Sequence, residues 1–188
     1  MADLLAFLGI SLVVIVTPGQ DTALTIQNTL VGGRWNGVRT AAGDASGQLL
    51  WALAASTGLA ALLAASEPVF DALKLAGAVY LVVLGLQALR DAIRGRAPHP
   101  AGERAAPARR GFRQGLISNL GNPKMAVFFT GLLPQFTPPG GPAFAAMLAL
   151  GVVFAALTLA WLALYACAVE YAKGYGAGNT VSLSPHDV

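Results

Sequence analysis

Residues 4–30 read LLAFLGISLVVIVTPGQDTALTIQNTL. An uncharged run, Leu4 to Val16, leads directly into a proline, a glycine and a carboxylate, the TPGQD of Thr17–Asp21. A helix crossing hydrocarbon needs about 20 mainly apolar residues, so this segment is long enough to span and yet carries a helix breaker and an acid in its middle. Proline lacks an N–H and clashes with the preceding turn. It is favoured at the first position of a helix, behind an N-cap residue. Thr17 fits the cap, Pro18 the first position, and Gln20 completes a Thr-x-x-Gln capping box. The stretch therefore predicts two half-helices that meet near mid-membrane, with Asp21 just past the break.

The rest of the chain reads as if lipid were its solvent. Of 188 residues, 55% are hydrophobic and 11% charged, with mean hydropathy +0.61. A soluble domain carries roughly 25% charged residues. Five segments are long and apolar enough to span: 4–30, 40–65, 69–89, 112–136 and 143–169. The fold class predicted is an all-α membrane protein, a bundle of five transmembrane helices. No alternation of about ten residues suggests a barrel strand. The N-terminus has Asp3 and no basic residue, which does not match the n-region of a signal peptide, so it reads as a retained first helix.

Seven of the nine arginines lie between Arg90 and Arg113. No aromatics interleave them and apolar segments flank them, so nucleic acid is not an expected partner. Arg34, Arg39 and Lys173 fall on the same side of the membrane as that run. The opposite connections, ASEPVF at 65–70 and PQFTPPGGP at 134–142, contain no basic residue. Basic loops stay inside, which puts the N-terminus outside and residues 90–113 in the cytoplasm. The Pro-, Ala- and Arg-rich linker 90–111 is expected to be mobile. It divides a bundle over 1–173 into a first repeat, about 4–89, and a second, partial repeat, 112–173. Residues 174–188 read as a disordered cytoplasmic tail. Asp71 and Lys74 read as an anchoring pair near the outer end of the third span. Cys167 is the single cysteine, so no internal disulfide or cysteine metal site is expected. His99 and His186 lie in polar, proline-flanked stretches and read as solvated.

The fourth span holds a second break, SNLGNPKMAVFF at 118–129. Asn122 precedes Pro123 as Thr17 precedes Pro18, and Gly121 and Gly19 loosen the backbone beside each. The two broken spans run in opposite directions, which suggests an inverted repeat, here an incomplete 3+3. In such transporters half-helix N-termini point their positive dipole ends at a central site, where a substrate carboxylate is a natural ligand. Charge near the bilayer centre defaults to function. Asp21 is placed to hold a substrate ammonium, to carry a proton, or simply to pair with Lys124. Asp44, near the cytoplasmic end of span two, reads as a gate residue or a wet one. Gln48 follows it on the same helix, and Asn119 sits in span four. Gly43 and Gly47 form a GxxxG pair expected to pack helices. Trp35, Trp51 and Trp161 fit interfacial or packing roles. The predicted substrate-binding or coupling set is thus Thr17, Pro18, Gly19, Asp21, Asp44, Gln48, Asn119, Asn122, Pro123 and Lys124. Asp21 and Asp44 alone do not make a metal cage. No paired catalytic carboxylates or Ser-His-Asp arrangement suggests an enzyme, and no cofactor is expected.

Residues 17–38 (TPGQDTALTIQNTLVGGRWNGV), the GxxxGQ of 43–48, LKLAGAVYLVVLGLQALR at 73–90 and NPKMAVFFTGLLPQF at 122–136 resemble the LysE/RhtB family of amino-acid exporters. The resemblance covers about residues 4–168. It implies a bacterial inner-membrane exporter of amino acids or close derivatives, proton-coupled and dimeric, with site motifs at Pro18, Gly19, Asp21, Asn122, Pro123 and Lys124. The family usually has proline where this chain has Gln20, which softens the first break. It also has a sixth hydrophobic helix, where this chain carries EYAKGYGAGNTVSLSPHDV at 170–188. The second half then has two spans against three. Gly151 and Thr158 are expected on the flank so exposed, covered by a second protomer or by another protein. The alternatives are a truncated, non-transporting paralogue with an assembly or regulatory role, and an exporter of a cation or another small metabolite.

Overall fold

The structure, a computed structural model, describes residues 2–65, 110–137 and 142–179, with scattered positions between 75 and 94. The Asp71–Lys74 pair, His99, His186, most of the third span and the linker, and residues 180–188 lie outside the described residues. Helix α1 spans Ala2–Val16, α2 Gln20–Gly32 and α3 Arg34–Ala65. Helix α4 is Gly111–Leu120 and α5 Pro123–Val127. The latter runs on as a π turn over Phe128–Leu132 and a 3-10 turn over Leu133–Phe136. The last helix, α6, is Ala143–Asn179. Among the described residues all regular structure is helical.

Length and hydropathy mark α6 as able to cross a membrane, over Ala143–Tyr175, and α1 with α2 as a pair that passes the same criterion together, bent by 51° as a broken span or a re-entrant loop would be. The distribution of residues between surface and interior fits a lipid solvent. Leu5, Val13, Val31 and Leu164 are each more than 60% exposed, whereas Asn28, Asn36, Thr40, Asp44, Gln48 and Asn119 are buried to 1% or less. A protein stabilised in water would not bury its amides and expose its leucines. In lipid, polar groups must find partners inside the protein, and apolar ones need not hide.

Helix α3 is the central element and packs on α4, α6 and α2. The sequence makes this possible by small residues. A Cβ at Gly43 would overlap the Phe112 carbonyl oxygen, and one at Gly115 the Thr40 carbonyl oxygen. Helices α3 and α4 therefore touch backbone to backbone, the close approach through which membrane helices gain packing energy. The GxxxG pair packs helices, as its spacing suggested. A second, apolar cluster joins Phe7 of α1, Met125, Phe128, Phe129 and Leu133 of the broken span, and Phe154 of α6. Phe128 stacks on Phe154 with ring centroids 4.1 Å apart.

Three expectations need correction. The connection expected between the spans 4–30 and 40–65 shrinks to Gly33, whose φ of 75° is open to glycine at little cost. Arg34 and Arg39 are thus helical residues of α3. Residues 174–179, expected in the tail, are helical, because α6 continues through Asn179. Once a long helix exists, each further residue adds a hydrogen bond without a new nucleus, and Lys173 Nζ pins this end by donating to Leu30 O at 3.1 Å. Gly151 and Thr158 do not line an open flank. Both are buried. Gly151 sits where a Cβ would overlap that of Ala52, and the Thr158 hydroxyl donates to Phe154 O at 3.0 Å. Heptad spacing put them on one face of α6, and that face meets α3.

Gly115→Ala should destabilise the protein by about 1–3 kcal/mol, the cost of overpacking a close contact. Thermal unfolding of tagged protein in detergent should show a lowered midpoint. An unchanged midpoint would mean that α3 and α4 are not in backbone contact.

Candidate functional site

Each mid-span proline removes the N–H that would have met the carbonyl four residues back. At Pro18 the orphan is Val14 O, and at Pro123 it is Asn119 O. Neither is left bare. Lys124 Nζ donates to Val14 O at 3.3 Å. Trp51 Nε1 donates to Asn119 O at 3.4 Å, and Asn122 N–H also reaches it at 3.0 Å. The first break is therefore closed by a side chain from the second, and the second by a tryptophan of α3.

The two half-helices start differently. At α5, Asn122 is the N-cap and Pro123 follows at the first position. Asn122 Oδ1 accepts from Lys124 N–H at 3.0 Å. At α2, Gly19 is the N-cap, in an extended conformation and without a side-chain cap. The predicted Thr17–Gln20 capping box is absent, because α2 begins two residues too late for Thr17 to reach its amides. The Thr17 hydroxyl instead turns back to Val13 O at 2.7 Å. The Gln20 amide donates across the bundle to Ser118 Oγ at 2.7 Å. Position 20 thus ties the start of α2 to α4.

Between the breaks lies a buried polar cluster. Asn122 Nδ2 donates to both carboxylate oxygens of Asp21, at 3.2 and 3.0 Å. Asn119 Nδ2 donates to Asp44 Oδ1 at 2.8 Å, and Gln48 Nε2 to Asp44 Oδ2 at 3.2 Å. Asp21, Asp44 and Lys124 are near enough for each to feel the others' charge. Gly19 lies against the same lysine, since a Cβ there would stand 3.2 Å from Lys124 Nζ. Of the ten sequence-predicted site residues, Asp21, Asp44, Gln48, Asn119, Asn122, Lys124 and Gly19 come together here. Thr17, Pro18 and Pro123 do not. Both prolines are exposed, and they shape the site only through the hydrogen bonds they remove.

A cavity of about 10 Å³ opens into this cluster, room for about one water. Asp21, Thr22, Gln48 and Lys124 line one part of it. Ile15, Met125, Phe154, Thr158 and Leu162 line the other. The sequence offered no sign of these apolar residues as site residues, because they are indistinguishable from lipid-facing ones until the helices are assembled. It also gave no clear sign of a second polar network toward the α2–α3 turn. There Asn28 Nδ2 donates to Thr40 Oγ1 and to Gln114 Oε1, both at 2.9 Å, and Asn36 Nδ2 donates to Asn28 O at 3.1 Å. The available signal was the helical spacing of Thr22, Thr25, Asn28 and Thr29, a polar stripe inside a span.

The profile of a family described as LysE type translocator matches residues 12–178. The chain is 29% identical over 180 residues to the uncharacterized membrane protein YrhP of Bacillus subtilis (strain 168), covering 92% of this chain and 86% of that one. It is 33% identical over 147 residues to the homoserine/homoserine lactone efflux protein of Salmonella typhimurium, covering 78% and 70%. It is 29% identical over 131 residues to the leucine efflux protein of Salmonella choleraesuis, covering 69% and 60%. No solved structure matches the chain.

Asn119→Ala should leave Asp44 Oδ1 without its donor in a fully buried place. A buried polar group that loses its partner costs about 1–3 kcal/mol. The variant should unfold at lower temperature in detergent, and Asn119→Gln, which keeps the amide, should lose less. Equal stability of Asn119→Ala and the parent would show that Asp44 is not held by this bond.

Proposed function

This chain belongs to the LysE type translocator family, and we propose that it is an inner-membrane secondary exporter of amino acids or close derivatives, proton-coupled, with its substrate bound between the two breaks. The observation that carries this reading is the buried cluster of Asp21, Asp44 and Lys124 where the broken spans face each other. Ionisable groups in a membrane interior are costly and default to function. Discontinuous helices lie beside them, the arrangement that transporters use around a substrate. Two relatives named as efflux proteins for homoserine or its lactone and for leucine support amino acids or their derivatives as the cargo.

The division of labour follows from charge. Lys124 and the N-terminal end of α5 offer positive potential to a carboxylate. Asp21 offers a negative partner to an ammonium. Asp21 and Asp44, two carboxyl groups beside Lys124 in the interior of the bundle, offer a seat for a coupling proton. Export then alternates between faces by rocking one half-bundle, about the α1–α2 and α4–α5 breaks, against the other. The one-sided arginines support an N-terminus outside and residues 90–113 in the cytoplasm.

Asp21→Asn should reduce export of the amino acid by at least about tenfold, in line with loss of a hydrogen-bonded charge contact of 1.5–3 kcal/mol, while tagged protein remains abundant in the membrane. Growth-inhibition tolerance in an overexpressing strain reads this directly, and normal tolerance with the variant would remove Asp21 from the mechanism. Orientation has its own test. A reporter fused at His99 should be active in its cytoplasmic form and silent in its periplasmic form. The reverse pattern would invert the topology.

A further inference from the structure

From the walls of the cavity between the breaks, we propose that the cargo is a zwitterionic amino acid with an uncharged aliphatic side chain, gripped at its head by Asp21, Gln48 and Lys124 and sorted at its tail by Ile15, Phe154 and Leu162. The inference rests on the export reading above and narrows it. Two observations carry it. The first is the division of the cavity lining. Its charged members are Asp21 and Lys124, one of each sign, and they stand on the polar side with Gln48 and Thr22. A net-neutral head group with one positive and one negative end matches that pair. The opposite side is Ile15, Met125, Phe154 and Leu162. Thr158 there spends its hydroxyl hydrogen on Phe154 O. A cationic or anionic side chain laid on this wall would lose its hydration and meet no partner, which is among the largest penalties a site can impose.

The second observation is an acceptor without a donor. Gln48 is fully buried, and its amide nitrogen is spent on Asp44 and on the sulfur of Met125. Its Oε1 has no hydrogen-bond partner. A buried amide oxygen lining a cavity and left unpaired is an open seat for a donor. With Asp21 on the same lining, it favours an ammonium group. The carboxylate of the same molecule then turns to Lys124. The Cα substituent is left to face Ile15, Phe154 and Leu162. The cavity as it stands is closed to about one water, so these helices must part to admit cargo. Phe154 is fixed by stacking on Phe128 at 4.1 Å.

Everted membrane vesicles with an imposed pH gradient provide the test, with radiolabelled valine, leucine, phenylalanine, lysine and aspartate as probes. Valine or leucine should accumulate at least about tenfold faster than lysine or aspartate, a ratio in the range that pocket contacts achieve. Lysine or aspartate accumulating as fast as leucine would overturn the aliphatic assignment while leaving the export reading intact. No accumulation of any probe would overturn the export reading itself and this inference with it. Leu162→Ala should raise the phenylalanine-to-valine ratio about fivefold by enlarging the wall. If Leu162→Ala does not reach the membrane, Ile15→Val should raise the same ratio by about twofold. An unchanged ratio in the variant that does assemble would show that the side chain lies elsewhere.

Discussion

One side chain connects the two halves of the broken bundle. Asn122 gives its amide hydrogens to the Asp21 carboxylate and its amide oxygen to the Lys124 backbone N–H. It therefore caps the second half-helix and holds the acid of the first with the same group. A carboxylate in hydrocarbon without such donors would carry a penalty of several kcal/mol. The prolines impose the matching constraint on the backbone. Each frees a carbonyl that nothing in its own helix can satisfy. Val14 O is met by Lys124, and Asn119 O by Trp51 and by the Asn122 N–H. The first break thus leans on the second through Lys124 and Asn122, and the second leans on α3 through Trp51.

The scaffold that brings these donors to the breaks is built from absent side chains. Gly43 and Gly115 bring α3 and α4 into backbone contact, which places Asn119 beside Asp44 and the Trp51 indole beside Asn119 O. With a larger residue at either glycine the helices would stand apart by more than the reach of an amide. Hydrophobic burial offers no comparable drive, since lipid tails are as apolar as leucine. The many leucines of α1 and α3 that face outward are indifferent to assembly, and the small and polar residues decide it.

This explains which features could be read in the sequence. Proline beside a capping residue in a long apolar run signals a break wherever it occurs. Asn122–Pro123 and Thr17–Pro18 were legible for that reason, and so were the acid and amides nearest them. The capping box was not, because whether Thr17 or Gly19 opens α2 turns on a two-residue shift in where the helix restarts, and Gln20 had a better partner in Ser118 than sequence could reveal. Gly151 and Thr158 show the other limit. Seven-residue spacing proves a common helix face but not which neighbour that face meets. Small residues mark a close contact equally well between protomers and, as here, against Ala52 of the same chain. The aliphatic part of the cavity was invisible for a third reason. In a chain whose surface and core are both apolar, Ile15 and Leu162 carry no mark that separates a ligand wall from a lipid face.

The contacts also differ in what it takes to loosen them. Helices α3 and α4 are joined by interlocked backbone, and parting them would forfeit many dispersion contacts at once. Helix α2 meets α4 chiefly through side-chain hydrogen bonds, Gln20 to Ser118 at one end and Asn28 to Gln114 at the other. Each is worth only about 0.5–1.5 kcal/mol net, provided water or a ligand replaces the lost partner. Parting α2 from α4 would expose the Gln20 amide and the Ser118 hydroxyl at one end and the Asn28 and Gln114 amides at the other. Helix α2 is held more closely by α3, where a Cβ at Gly37 would overlap Thr29 Oγ1. The bonds easiest to exchange therefore lie between α2 and α4, and the contacts too close to slide lie along α3.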